Sequence, residues 1–425
     1  MEYKAPRGTN DILPIQSKQR YQLQQILRDI VKKYNYEEIS TPIFEQYELF
    51  QRTVGVNSDI VSKEMFNFQD KKGRELALRP ENTAPIVRAV IENKLVDVLG
   101  LPLKLFYYGD MFRYERPQRG RQRQFTQFGV EVFGKKTIYL DAEIICLAMD
   151  IIKSLKINNI ILKINFLGAK ATQNKYQQIL KTFLQDISTT LCADCQRRIT
   201  KNTLRVLDCK IDQNIKNLPI ISETYSLEEK EYFTRLIKLL DNLKVKYEID
   251  SKLVRGLDYY NDTVFEIISL EKGVEGQNTL IGGGRYDNLV EELSKNQKSV
   301  PAIGFAIGIE RLLNATENHS DFIKKMVPLV DVYIIALTAT GYELATNVLL
   351  TLRSNNFISD MDYEQRNIKI QFNVVSKLDC RFVVIIGDSE VKESNLTIKN
   401  QETKVEEKIS INELINYLNA NKRDK

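Results

Sequence analysis

The chain has 425 residues, 43% of them hydrophobic, which suffices for two or three domains with apolar cores and excludes a fibrous or disordered protein. Its 61 lysines and arginines exceed its 56 aspartates and glutamates by 5, an excess too small to indicate nucleic-acid binding by itself. Because His319 is the only histidine, a Ser-His-Asp triad, a Cys-His dyad and a histidine-rich catalytic metal site are all excluded.

The first part of the chain predicts a helix and then a strand. Residues 16–34 carry apolar side chains at helical spacing, Leu23 and Leu27 among them, which predicts one amphipathic helix packed on a sheet. Residues 39–44 form an extended run that contains Pro42. A proline within such a run predicts an edge or interface strand.

A second helix is predicted over residues 84–93. Pro80 and the pair Asn82-Thr83 mark a turn with helix-capping residues just before it. Glu81 is therefore expected at a strand-to-helix corner. Two interpretations stay open for its carboxylate, which either lines a binding site or only complements the positive end of the helix dipole.

Residues 105–133 predict a hairpin whose loop concentrates positive charge, with arginines at positions 116, 119, 121 and 123. On the second strand Gln127 and Glu131 share a face with Gly129 between them, because side chains alternate along a strand. The missing side chain at Gly129 predicts room for a ligand.

The first strand of the hairpin repeats this arrangement, since Arg113 falls beside Gly109 and Met111. A guanidinium next to bare backbone suits a bound phosphate, and the chain contains no GxxxxGK[ST] loop that would hold phosphates otherwise. The competing interpretation is an ordinary hairpin with one solvated, charged face.

Residues 170–250 are polar and mostly helical in pattern, which predicts an inserted domain between two halves of a sheet. Cys192, Cys195 and Cys209 lie in it, with the first two at the spacing of a zinc knuckle. A fourth cysteine or histidine ligand is missing, so free thiols and no metal site are the favoured interpretation. The odd total of five cysteines is typical of a reducing compartment.

Three segments after residue 250 combine glycine with arginine. In residues 253–268 Arg255 precedes a predicted strand that is entered by two tyrosines, with Tyr260 expected on one face and Tyr259 on the other. Residues 282–286 and 302–311 each predict a strand that runs into a helix, and Arg311 follows the second strand. From residue 330 onward, alternating strands and helices predict a βαβ arrangement in a parallel or mixed sheet.

The segments Arg7–Asp11, RPENT, FRYERPQRGRQRQF, LVRGLDYYN, GGGRYD and GFAIGIERL together resemble the histidyl-tRNA synthetase family of class II aminoacyl-tRNA synthetases. All occur in family order, and the resemblance covers essentially the whole chain. One departure is Asn82, which stands where some relatives have glycine.

The resemblance implies an α+β fold, with an antiparallel-sheet catalytic domain, a helical insertion and a C-terminal α/β anticodon-binding domain. The implied boundaries are 1–169 and 251–320 for the catalytic domain, 170–250 for the insertion and 328–425 for the anticodon-binding domain.

The implied reaction activates L-histidine with ATP and Mg²⁺ to histidyl-adenylate and then transfers histidine to the 3′-terminal adenosine of histidine tRNA. The implied catalytic residues are Arg113, Arg255 and Arg311. ATP-binding residues are expected at Arg113, Glu115, Arg121 and Arg311. Amino-acid-binding residues are expected at Glu81, Asn82, Thr83, Gln127, Glu131, Tyr259 and Tyr260. Contacts to the tRNA acceptor end are expected at Arg116, Arg119 and Arg123.

The resemblance also implies a homodimer, with residues 39–44 at its seam. A cytoplasmic location is expected, or the plastid stroma for an organelle-encoded chain, because no signal peptide and no run of about 18 apolar residues is found. The alternative function is a catalytically silent relative that binds histidine and regulates another enzyme.

Overall fold

A computed structural model describes residues 3–55, 60–118, 120–271, 278–294, 299–316, 330–378 and 380–421. Arg119, His319 and the predicted domain boundary at residue 328 lie outside these ranges. Internal contacts divide the chain into two compact units, Met1–Lys324 and Lys325–Lys425.

The strands described in the first unit are, in chain order, β1 (Glu37–Glu38), β2 (Phe44–Gln46), β3 (Asn67–Gln69), β4 (Glu75–Leu78), β5 (Leu103–Phe112), β6 (Gln124–Phe133), β7 (Ile160–Phe166), β8 (Glu248–Ile249), β9 (Asn261–Ser269), β10 (Thr279–Arg285) and β11 (Ala302–Gly308). The helices described there are α1 (Pro14–Lys33), α2 (Tyr47–Val54), α3 (Thr83–Glu92), α4 (Leu95–Leu99), α5 (Ile138–Ser154), α6 (Lys170–Asp186), α7 (Ala193–Lys201), α8 (Leu227–Asn242), α9 (Leu289–Leu293) and α10 (Ile309–Thr316). Short 3₁₀ turns occupy Ser188–Thr190, Thr203–Val206 and Ile221–Thr224, and a π turn occupies Ile60–Glu64.

The central sheet has the strand order β1-β5-β6-β11-β10-β9-β7-β8. All neighbours pair antiparallel except the two short edge strands β1 and β8, which pair parallel. A second, three-stranded antiparallel sheet has the order β2-β4-β3. The predicted antiparallel catalytic sheet is therefore confirmed.

One face of the sheet is covered by α1 and α5. The apolar stripe of α1 is buried at Leu23, Leu27 and Ile30, within a cluster that also contains Phe128 and Phe305 from the sheet. Burying each such side chain contributes about 1.5–3 kcal/mol. The helix predicted over residues 16–34 is thus confirmed as a packing element.

The strand predicted over residues 39–44 is wrong in detail. The chain pairs only over β1 and again over β2, and the residues between them are irregular. The cause is tertiary, because the guanidinium of Arg79 donates to the carbonyl and hydroxyl oxygens of Thr41 at 2.9 and 3.0 Å.

The segment 170–250 enters after β7 and returns through β8. It is mostly helical, as predicted, and its side chains Tyr176, Leu180 and Leu236 are fully buried. Tyr176 and Leu180 share one apolar cluster with Leu105 and Tyr107 of β5, so the insertion packs into the first unit.

The second unit contains β12 (Val330–Ala336), β13 (Ser359–Met361), β14 (Cys380–Ile386), β15 (Asn395–Asn400) and β16 (Glu406–Ser410). Its helices are α11 (Ala339–Ser354), α12 (Ile368–Lys377), α13 (Asp388–Glu393) and α14 (Leu414–Ala420), with a 3₁₀ turn at Ile411–Glu413. The strand order is β13-β12-β14-β15-β16, parallel for the first three strands and antiparallel afterwards. The predicted mixed βαβ sheet is confirmed.

None of the described helices is both long enough and apolar enough for a bilayer crossing.

A buried ion network joins the sheet to α5. Arg285 at the end of β10 and Asp141 of α5 are both fully buried, and Arg285 Nε donates to Asp141 Oδ1 at 2.7 Å. A second carboxylate, Asp287, accepts from the same guanidinium at 2.9 Å. The hydroxyl of Thr263 donates to the other oxygen of Asp141 at 2.7 Å. These contacts pair the buried guanidinium of Arg285 with two carboxylates.

Replacing Arg285 with methionine should lower the free energy of unfolding by about 3–5 kcal/mol, because two buried carboxylates lose their cation. Chemical denaturation of the variant beside the surface control Arg52→Met measures this difference, since Arg52 is exposed and its ion pair with Glu48 lies on the surface of their helix. Equal stability of both variants would show that the network contributes nothing.

Candidate active site

A cavity opens on the face of the central sheet opposite to α1 and α5, and it encloses about 940 Å³ including the open solvent at its mouth. Eleven of the residues predicted for the site line it: Glu81, Thr83, Arg113, Glu115, Arg121, Gln127, Glu131, Arg255, Tyr259, Tyr260 and Arg311. They come from the hairpin, from the corner where α3 begins, from the segment before β9 and from the start of α10. Side chains that are distant in sequence therefore converge on one space.

Three guanidinium groups concentrate positive charge at one end. Arg113 Nε donates to the carbonyl of Pro80 at 2.9 Å, and Arg311 donates to the carbonyl of Thr279 at 3.2 Å. Burial lowers the pKa of Arg311, and the positive charges of Arg121 and Arg113 lower it further. A polyanion bound among these groups would relieve their mutual repulsion.

Arg255, from the segment before β9, also lines the cavity. Its guanidinium forms an ion pair with Glu266 of β9 and lies 5.7 Å from the ring centre of Tyr260. Burial alone would lower the pKa of Arg255, but Glu266 and the tyrosines Tyr260 and Tyr259 together raise it above its ordinary value. A Cβ atom at Gly282 would overlap the guanidinium, so the bare strand makes its position possible. Arg255 is thus a permanently charged and well-positioned cation.

Two buried carboxylates form the other end of the cavity. Glu81 accepts backbone hydrogen bonds from Thr83 at 2.8 Å and Ala84 at 3.0 Å, and it therefore caps α3. The hydroxyl of Tyr259 also donates to Glu81 Oε2, at 3.4 Å. The carboxylate of Glu81 therefore does both things that the sequence left open, because it caps α3 and also lines the cavity.

Glu131 is almost completely buried, with 1% of its surface exposed. The hydroxyl of Thr83 donates to its Oε1 at 2.7 Å, and the hydroxyl of Tyr286 donates to its Oε2. Burial raises the pKa of Glu131 to about 8, although both hydroxyl donors act to lower it. The group therefore changes protonation near neutral pH, which suits a ligand that exchanges protons in the same range.

Gln127 provides an unsatisfied acceptor. Its Oε1 is buried and has no hydrogen-bond partner among the described residues. A buried amide oxygen without a partner costs free energy, so the site gains when a ligand N–H group reaches it.

The predicted alternation of the two tyrosines is wrong. Strand β9 begins at Asn261, and Tyr259 and Tyr260 precede it in a turn. Their ring centres lie 4.7 Å apart, and both rings line the cavity. The alternation of faces along a strand does not extend to residues that precede it.

The predicted glycine gaps are not open to a ligand. A Cβ atom at Gly129 would overlap the hydroxyl end of Tyr107, and one at Gly109 would overlap the guanidinium of Arg79. Side chains of the protein itself thus fill both places. The expectation of ligand room at Gly129 is wrong, because a neighbouring strand residue takes it.

Asn82 is absent from the described lining of the cavity. It is 1% exposed, and its Oδ1 accepts from the hydroxyl of Thr41 at 2.8 Å and from Arg79 at 3.1 Å. These two contacts give Asn82 a structural role, and its expected contact with the amino acid stays a prediction.

The arginines of the hairpin loop lie in different environments. Arg121 donates to Glu115 at 3.3 Å within the cavity. Arg123 instead lies 3.9 Å above the ring centre of Tyr114. Arg116 is exposed and not part of the described lining. The structure thus separates cavity arginines from surface arginines in one loop.

Sequence reasoning missed Tyr286 and Glu266, which hold Glu131 and Arg255 in place. Tyr286 was visible within the motif GGGRYD, one residue after its strand. Nothing in the local pattern of Glu266 indicated its partner, because the pairing depends on how the segment before β9 folds back.

The sequence pattern of the histidyl-tRNA synthetase family matches residues 8–312, and that of the anticodon binding domain matches residues 331–421. The histidine–tRNA ligase of Lysinibacillus sphaericus (strain C3-41) is 44% identical over 421 residues, covering 98% of this chain and 99% of that protein. The histidine–tRNA ligase of Bacillus subtilis (strain 168) is 43% identical over 429 positions, covering 100% of each. Among solved structures, the apo histidyl-tRNA synthetase of S. aureus has a TM-score of 0.82 at 36% identity, covering 98% of this chain and 100% of that one.

The raised pKa of Glu131 predicts a pH-dependent stability. Its folded pKa of about 8 exceeds the ordinary value of 4.5, so its favourable contribution is complete below pH 4.5 and is lost as pH rises toward 8. The stability of the ligand-free protein should therefore fall relative to that of Glu131→Gln by up to about 1.4 kcal/mol per pH unit across this interval. Denaturation curves of both proteins measure the difference, and parallel curves from pH 5 to about 8 would contradict the assignment.

Proposed function

Because the chain belongs to the histidyl-tRNA synthetase family, we propose that its cavity binds ATP at the guanidinium end and L-histidine at the carboxylate end. Family membership makes the chain an ATP-dependent aminoacyl-tRNA ligase that charges tRNA with histidine. The observation that carries the proposed arrangement is the convergence of Arg113, Arg255 and Arg311 on a cavity whose other end holds two buried carboxylates.

In the first step a carboxylate oxygen of histidine attacks the α-phosphorus of ATP. The new P–O bond gives histidyl-adenylate, and the bond to the bridging oxygen breaks to release pyrophosphate. Negative charge grows on the phosphate oxygens in this step, and fixed guanidinium groups stabilise it without proton transfer. Magnesium arrives with ATP as part of the substrate complex. The attacking carboxylate is already ionised, so no general base is required.

The three arginines take different parts. Arg113 comes from the hairpin and Arg255 from the segment before β9, and two guanidinium groups on separate elements suit contact with the α-phosphate during displacement. Arg311 and Arg121 lie together, and their mutual repulsion suits the more highly charged end of the triphosphate. Arginine fits these roles because its planar fork binds two phosphate oxygens at once and stays charged. Glu115 holds Arg121 from the side.

Histidine would be recognised by its two polar ends. The acceptor oxygens of Glu81 and Gln127 and the hydroxyl of Thr83 suit the α-ammonium group. Glu131 suits an imidazole N–H, and Tyr260 suits the other ring nitrogen. A site built from buried hydrogen-bonding groups rejects apolar analogues by about 10⁴ or more, because the wrong ligand leaves these groups unpaired.

The second step transfers histidine from the adenylate to the 3′-terminal adenosine of tRNA, and the ester forms as AMP leaves. The exposed Arg116 of the hairpin loop suits the phosphate backbone of the acceptor end. Arg119 and Arg123 were expected there as well. Arg119 lies outside the described residues, and the stacking of Arg123 on Tyr114 favours a structural role for it.

The family also suggests a class II homodimer in the cytoplasm. Apolar side chains near the predicted seam support a protein contact, since Ile43 and Phe44 are 48% and 52% exposed. Exposed apolar groups that lie next to each other in this way are typical of interfaces.

The alternative, a silent relative that binds histidine and regulates another enzyme, finds no support. Such a relative would be expected to lose one of Arg113, Arg255 and Arg311 or the C-terminal domain. All three arginines line the cavity, and the anticodon binding domain is present.

ATP–pyrophosphate exchange with each of the twenty amino acids, followed by charging of histidine tRNA, tests the function. Exchange should occur with histidine alone. The variant Arg255→Met should lose about 10²–10³ in exchange rate, the usual effect of removing one preorganised charge donor. Exchange with no amino acid would favour the silent alternative.

The double variant Arg255→Met/Glu266→Gln provides the matched control, because it removes the carboxylate that the single variant leaves without its cation. It should bind histidine normally in calorimetry and lose as much exchange rate as the single variant. A loss of only a few-fold in the double variant would refute the role of Arg255 in the transition state.

A further inference from the structure

We propose that Cys192, Cys195, Cys209 and Asp212 form a structural zinc site in the helical insertion. One ligand atom from each residue lies within 4.8 Å of all the others. Asp212 supplies the fourth ligand that the cysteine spacing alone lacks. None of the four belongs to the described lining of the cavity, so the site is separate from the active site.

The spacing repeats one local motif. Cys192 and Cys195 are three positions apart, and so are Cys209 and Asp212. In each pair the backbone N–H of the second residue donates to the sulfur of the first, at 3.5 Å for Cys195 and 3.4 Å for Asp212. Such N–H donors stabilise a metal-bound thiolate and orient it, as second-sphere hydrogen bonds do at other metal sites. The sequence therefore contains two knuckles, the second ending in a carboxylate.

The distances agree with one tetrahedral ion. The Sγ atoms of Cys192 and Cys209 are 3.8 Å apart, and Cys209 Sγ lies 3.8 Å from Asp212 Oδ2. Two sulfurs bound to one zinc ion at about 2.3 Å each are about 3.8 Å apart in tetrahedral geometry. The same distance greatly exceeds the sulfur–sulfur bond of about 2.05 Å in a disulfide. Four protein ligands close the coordination sphere, which is typical of structural rather than catalytic zinc.

The chain that carries two of these ligands is irregular. Residues 207–220, all of which the structure describes, contain neither helix nor strand, and Cys209 is the one buried residue among them. The apolar side chains of Leu207, Ile215 and Leu218 pack against the core of the unit but are only partly buried. A metal ion that joins Cys209 and Asp212 to the start of α7 would fix it, because the free energy of metal binding becomes folding free energy.

The segment fixed in this way supports the catalytic loop. The carbonyl of Gln213, next to Asp212, accepts from Lys252 Nζ at 3.0 Å. At the end of α7, Asn202 Nδ2 donates to Asp258 Oδ1 at 2.8 Å. Lys252 and Asp258 flank Arg255 in sequence, so these two contacts join the proposed zinc site to the segment that carries Arg255.

The test is the zinc content of the full chain, purified without a metal-affinity tag in a reducing buffer and measured by inductively coupled plasma mass spectrometry. The natural chain should contain about one zinc ion per chain. Cys209→Ser should lose it, whereas the matched control Cys146→Ser, which changes a cysteine of α5 outside the cluster, should keep it.

Two variants at Asp212 separate ligation from folding. Asp212→Asn keeps an oxygen that can accept from the backbone N–H of Cys192, but it removes the negative charge and should weaken zinc binding at least tenfold. Asp212→Cys completes a four-cysteine site and should restore tight binding. Cobalt substituted for zinc should show thiolate-to-metal absorption in the natural chain and lose it in Cys209→Ser.

Three results would overturn the proposal. The first is a natural chain that holds no zinc after incubation with zinc chloride and dialysis. The second is a disulfide between Cys192 and Cys209 in freshly purified protein, found by mass spectrometry. The third is equal zinc content in the natural chain and in Cys209→Ser. Because these readouts do not involve catalysis, they stand apart from the outcome of the exchange assay.

Discussion

The active site depends on two charged side chains, those of Arg255 and Glu131, that pack against glycines of the central sheet. Arg255 occupies the space above Gly282, and Glu131 occupies the space beside Gly304, where a Cβ atom would overlap its carboxylate. Any larger residue at these glycines would force the charged groups away from the cavity. Because these glycines have no side chains, both charged groups can occupy their positions in the cavity. This constraint decides where each end of the cavity can bind a ligand.

This arrangement has an energetic cost in the ligand-free protein. Arg311 is held beside two other guanidinium groups, and burial lowers its pKa together with their repulsion. At the other end, burial raises the pKa of both Glu81 and Glu131, which means that their ionised forms are disfavoured. One end of the ligand-free site thus disfavours positive charge, and the other end disfavours negative charge. A ligand with a polyanionic end and a cationic or N–H-donating end relieves both, and ATP beside histidine has this distribution of charge.

The fold and most of the site could be predicted because their signals are local. The stripe of α1, the strands of the hairpin and the βαβ pattern of the second unit each follow from periodicity within a few residues. Errors arose where a distant side chain decided the outcome. Tyr107 fills the place at Gly129, Arg79 breaks the strand near Thr41, and Asn82 turns toward these neighbours and away from the cavity. The sequence pattern does not indicate which distant side chain will pack against a given glycine.

The proposed metal ligands also could not be predicted in full from local sequence patterns. The knuckle spacing of Cys192 and Cys195 was visible, but the carboxylate that completes the set belongs to a residue type that is common at any exposed loop. Only the folded loop brings Asp212 to the three sulfurs.

The most direct test of the central claim is a crystal structure of the chain with ATP and histidinol, an analogue that lacks the carboxylate and cannot react. We expect the triphosphate between Arg113, Arg121 and Arg311, the α-phosphate within reach of Arg255, and the imidazole hydrogen-bonded to Glu131. Triphosphate density outside this cavity, or an imidazole that does not contact Glu131, would contradict it.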